Sequence, residues 1–167
     1  MSKTITGTLT ALLFVLSATV AIAAGKKDPG PPKPGENGTI LFSDKQVPKK
    51  FKNKKARMAA FEKSQKEFML QGEEWTIHFH ALLFGKAKAT TLQLYFIDVT
   101  DDPMNEKPQT ILQVSAKRSA RALIDKFVLD TEDFEGGQKL KLRVMRVNMK
   151  KGLATVLAEG EFQLKGE

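Results

Sequence analysis

Two hydrophobic rhythms divide the chain. From Glu74 onward, apolar residues recur at every second position, the mark of strands with one buried face. In 74–84 the shared face carries Trp75, Ile77, Phe79, Ala81 and Leu83; in 90–99 it carries Leu92, Leu94 and Phe96. Leu112 and Val114 align in 110–116, and Leu123, Phe127 and Leu129 align in 121–130. The clearest alternation is in 138–147, with Leu140, Leu142 and Val144 inward and Lys139, Lys141 and Arg143 outward. In 153–164, Val156, Ala158, Gly160, Phe162 and Leu164 share a face. Turn-forming runs at 84–88, 101–108, 135–137 and 148–152 separate these segments. With the short apolar run 39–43 they predict seven strands and no strand–helix–strand alternation. That order predicts an all-β fold, an antiparallel sandwich.

The last two segments fix an expected register. Pairing Val144 with Val156 also pairs Leu142 with Ala158 and Leu140 with Gly160 on the core side. Outside, it sets Lys141 opposite Glu159 and Lys139 opposite Glu161, so the basic ladder is neutralised by its neighbour strand.

Upstream of Gly72 the rhythm is helical. Phe51, Met58, Phe61 and Phe68 fall within about 100° of one another at helical spacing, and Ala56, Ala59 and Ala60 favour helix. A helix over 54–67 is expected, its aromatic stripe packed on the sandwich. Further upstream, 24–38 is rich in proline and glycine and reads as a flexible linker. Lys3, the apolar run Leu9–Ala23 and the closing Ala21-Ile22-Ala23 read as a signal peptide over 1–23. The run is too short for a membrane span, which needs about 20 apolar residues. The expected mature chain therefore has no transmembrane anchor. It forms a single domain over 39–167 and resides in the periplasm or outside the cell.

Charge sharpens the picture. The chain of 167 residues carries a formal +8. From Ala24 to Arg57 there are ten basic and three acidic residues; from Met58 to Glu167 there are sixteen of each. The excess thus lies in the N-terminal arm, where Lys49, Lys50, Lys52, Lys54, Lys55 and Arg57 are the candidate anion-binding residues. Their counter-charge is either an external anion or the acidic runs at 98–106 and 130–135 of the same chain.

The absence of cysteine excludes disulfides, thiol nucleophiles and a lipidated cysteine. No G-x-S-x-G or phosphate-loop spacing is present. His78 and His80 are the only histidines and sit two apart on one strand face, outward or beneath the expected helix, a weak metal pair that lacks a third ligand. Asp98, Asp101, Asp102, Asn105 and Glu106 offer oxygens for calcium, but without the EF-hand spacing. Both features read more simply as strand face and polar turn, and no cofactor is expected.

The seven segments over 39–164 resemble an immunoglobulin- or fibronectin-type sandwich. Residues 130–144 resemble the turn into its penultimate strand, with Phe134 where a corner tyrosine would stand. The resemblance implies a fold and no function, because sandwiches host many. The expected function is that of an exported, non-enzymatic binding or accessory protein of the cell envelope, with a protein or anionic envelope partner. Electrostatic capture of anionic polymers or lipid head groups through the Lys-rich arm is one alternative; a metal-dependent enzyme using His78 and His80 is the other. Nucleic acid ranks behind these partners, and the sequence leaves the oligomeric state open.

Overall fold

Alternating apolar side chains need two surfaces to bury them, and the chain supplies both as sheets. The computed structural model describes residues 32–148 and 152–166. The expected signal peptide and the first part of the expected linker, 24–31, lie outside the described residues. In chain order the elements are β1 (Ile40–Ser43), α1 (Lys54–Glu62), β2 (Glu67–Met69), β3 (Glu74–Leu82), β4 (Thr91–Asp98), β5 (Thr110–Ser115), β6 (Ala122–Asp130), β7 (Lys139–Asn148) and β8 (Leu153–Lys165).

The described residues are all-β apart from α1. One sheet has the order β1-β3-β6, the other β2-β8-β7-β4-β5. Every pairing is antiparallel except that of the short β2 with the end of β8. The inner faces share one core: Phe42, Trp75, Ile77 and Phe79 from the smaller sheet meet Leu94, Phe96, Leu142 and Phe162 from the larger. Phe127 sits at its centre, with its ring 4.9 Å from Phe96, 5.6 Å from Phe79 and 5.8 Å from Phe162.

The seven expected strands are present, and β2 adds an eighth. It arises because the chain changes sheet near its start. After β1 it leaves the smaller sheet, runs through the Lys-rich segment and α1, and returns as β2 on the edge of the larger one. The base of this excursion is tied. Phe42 N donates to Ser64 Oγ at 2.9 Å, Gln65 N to Phe42 O at 3.1 Å, and Asp44 N to Gln65 Oε1 at 3.0 Å.

Those ties also correct the helix expected over 54–67. Asn53 caps its start by accepting from Ala56 N at 2.8 Å, but it ends at Glu62. Ser64 and Gln65 are needed as partners of β1, and Phe68 enters the main core from β2 instead of extending a helical stripe.

The register of the last hairpin is corrected too. Val144 faces Ala158, Leu142 faces Gly160 and Leu140 faces Phe162, two residues from the expected pairing. A shift of two keeps every side chain on its face. A bulge at Val144/Met145 absorbs Leu157, which is buried and takes the inward place expected of Val156; Val156 is exposed. A Cβ on Gly160 would lie 2.8 Å from Phe42 Cε2 and 3.1 Å from Ile40 Cβ, so glycine must stand where β8 crosses β1. Outside, Arg143 now faces Glu159 and Lys141 faces Glu161. The basic ladder is still neutralised: Arg143 Nε reaches Glu159 at 3.1 Å and Lys139 Nζ reaches Glu161 at 3.2 Å.

The described end of the expected linker is packed. Gly35 is buried, with φ +79°, and a Cβ there would lie 2.9 Å from Met58 Cα. Gly38 bridges the sheets, donating to Leu82 O at 2.6 Å and accepting from Glu159 N at 2.9 Å.

Candidate functional site: a clamped cationic segment

A run of lysines resists folding on itself, because like charges repel and long side chains lose entropy when fixed. Here apolar residues spaced between them hold the run down. Val47 and Phe61 pack against Leu41 and Leu82, with Phe51 and Ile124 at the margin. This small second core lies on the face of the smaller sheet turned away from the main core. It turns the segment 44–66 into a fixed cover.

Lys49, Lys50, Lys52, Lys54 and Lys55 are all exposed on that cover. None makes an ion pair among the described residues, whose four salt bridges involve Lys139, Arg143 (twice) and Lys165. Four residues of the acidic runs have other partners. Glu106 binds Arg143 through both oxygens. Asp98 accepts from Thr100 N at 2.8 Å and from Gln138 Nε2 at 3.0 Å, and Asp102 accepts from Met104 N at 2.9 Å. Asp130 accepts from Asp133 N at 3.1 Å. The hydrogen bond from Arg143 holds the Glu106 carboxyl below its ordinary range, and Glu106 in turn raises the Arg143 guanidinium.

Arg57 differs from the lysines. It is half-buried, and its Nε is shielded from solvent with no hydrogen-bond partner. It lines a groove of about 570 Å³ between the arm (Pro32, Asn37), the start of α1 (Lys54, Arg57), Phe84, and Val156 on β8. Phe84 is 73% exposed and Val156 41%.

The two histidines part company. His80 is buried under the Lys-rich cover, where its Nδ1 donates to Pro48 O over 2.9 Å. Its ring lies 5.3 Å from that of Phe51 and 5.9 Å from that of Phe61. Burial lowers its pKa; the bond to Pro48 opposes this, and the charge of Arg57 adds to it. His78 is half-exposed on the same face. No group of three His, Cys, Asp or Glu side chains converges among the described residues, and Asp98, Asp102 and Asn105 each accept from a backbone N–H two residues on.

The sequence singled out the six cationic residues, and five of them share one exposed surface. It did not reveal the groove, because its walls come from four distant segments. The one local hint is Leu83-Phe84, adjacent large apolar residues where alternation permits only one to be inward. No family model matches this chain, and no curated protein or solved structure matches it either.

Proposed function

We propose that the chain is an exported, non-enzymatic binding module that presents its Lys-rich cover to an anionic component of the cell envelope. One observation carries this reading. Lys49, Lys50, Lys52, Lys54 and Lys55 stand exposed on a segment fixed by its own apolar core, and no described carboxylate forms an ion pair with them. Holding like charges together has an electrostatic cost, and an anionic surface removes it. The export part rests on Lys3, the apolar run to Ala23 and the A-x-A ending.

The same proposal assigns an immunoglobulin-like topology. Lettered in that scheme, β1-β3-β6 reads A-B-E, and β8-β7-β4-β5 reads G-F-C-C′, with β2 as a second half of A beside G. The excursion 44–66 then interrupts strand A.

The test is co-sedimentation with vesicles. The protein is expected to bind vesicles containing phosphatidylglycerol, to ignore phosphatidylcholine alone, and to be released as salt shortens the screening length to about 3 Å near 1 M. Lysine-to-glutamine substitution at positions 49, 50, 52, 54 and 55 is expected to abolish binding. Binding that is absent, or indifferent to salt and to these substitutions, overturns the reading.

A further inference from the structure

Beside the cover lies a second feature that the charge reading does not use. The outer edge of β8 is occupied in part. Phe84 N donates to Leu157 O at 2.6 Å, Glu159 N donates to Gly38 O at 2.9 Å, and β2 pairs with Gln163–Lys165. Toward its start, Leu153–Val156 pairs with β7 on one side, and no described backbone group pairs with the other. An unpaired edge is a template for another strand.

Three properties of this edge narrow what could fill it. Leu153 (59% exposed), Val156 (41%) and Phe84 (73%) place apolar surface along it and at its end. The edge is blocked from Leu157 onward by Phe84 and Gly38, so an added strand must stop there. At that stopping point the groove presents Arg57, whose shielded Nε has no acceptor, and Lys54. Of the two acids of the groove, Glu159 is ion-paired with Arg143 at 3.1 Å, while Glu36 accepts only from the backbone Lys33 N at 3.3 Å. What ends a strand and brings an anion with it is a chain terminus.

We propose that this groove is a docking site for the extended, apolar C-terminal end of a partner polypeptide. The end adds to β8 along Leu153–Val156, running parallel to it, with its side chains against Phe84 and Val156. Its terminal carboxylate is held by Arg57 and Lys54. A carboxylate there meets the positive charge of both residues, and hydrogen bonds between charged partners are the stronger kind. The site shares Lys54 with the vesicle-binding reading but requires one carboxylate and an apolar chain, not a polyanion.

The test uses a short peptide of alternating valine and threonine, labelled at its N-terminus, with binding read by fluorescence anisotropy. The free-acid peptide is expected to bind, and its C-terminal amide to bind about tenfold more weakly or worse, the scale of one charged hydrogen bond. Arg57→Gln is expected to erase the difference between the two peptides, and Phe84→Ser to weaken both. Ile111→Ser, on the exposed edge strand β5, is expected to leave binding unchanged. Equal affinity for acid and amide, no binding at all, or loss on Ile111→Ser equal to that on Phe84→Ser each overturns the proposal. The amide comparison uses the unaltered protein, so it holds even if a variant folds poorly. Vesicle binding can fail while peptide binding persists, and the reverse, so the two readings are separable.

Discussion

His80 is the residue on which solution pH acts. It is buried against Phe51 and Phe61 with its pKa lowered, mainly by burial. In the unfolded chain it takes up a proton near pH 6.5, the ordinary imidazole value; in the folded chain it does so only at lower pH. Above that value both states are neutral and His80 contributes no pH dependence. Below it the unfolded state binds more protons, and stability falls until the folded pKa is passed. Urea unfolding at pH 7.5 and 5.5 should therefore show a loss in the wild type that shrinks in His80→Phe, which keeps the aromatic packing. An unchanged loss would assign the effect to other groups. Arg143 and Glu106 make the opposite case. Glu106 is 62% exposed, so Glu106→Gln should cost no more than about 1 kcal/mol despite good geometry.

At the scale of elements, the Lys-rich cover and the sheets separate energetically. The cover is held by a few apolar side chains and its tied base, whereas the sheets share the main core. Phe61→Ala is therefore expected to unfold α1 locally. Hydrogen exchange should accelerate in 54–62 while amides of β4 and β7 keep their protection; loss throughout would show one cooperative unit. The crossing of β8 over β1 allows no such local escape. Gly160→Val forces a branched side chain against Phe42 and the fixed Cβ of Ile40. It should destabilise the whole molecule by about 1–3 kcal/mol, read by denaturant unfolding.

The whole molecule divides its chemistry by address and by charge. If the first residues direct export, intact mass of protein recovered from outside the cytoplasm should match a chain beginning at Ala24. A mass that retains Lys3 would remove that reading. The outward basic ladder of β7 faces the acids of β8 and is paired within the sheet, while the arm's lysines have no such neighbour strand. The positive excess is concentrated in one stretch of sequence, Ala24 to Arg57.

Periodicity alone determined six of the eight strands, because burying one face of a sheet imposes a two-residue repeat that sequence displays directly. It assigned Trp75, Ile77, Phe79, Leu94, Leu142 and Phe162 to the interior, and the charge count found the cationic segment. Features that depend on distant segments meeting were left to the tertiary structure. The two-residue register shift accompanies the bulge at Val144/Met145, which local alternation does not display. The early end of α1 follows from β1 claiming Ser64 and Gln65. His80 became buried because Val47, Phe51 and Phe61 cover a strand face that local alternation reads as outward. The groove exists only where four segments close around Arg57, a contact that no local pattern encodes.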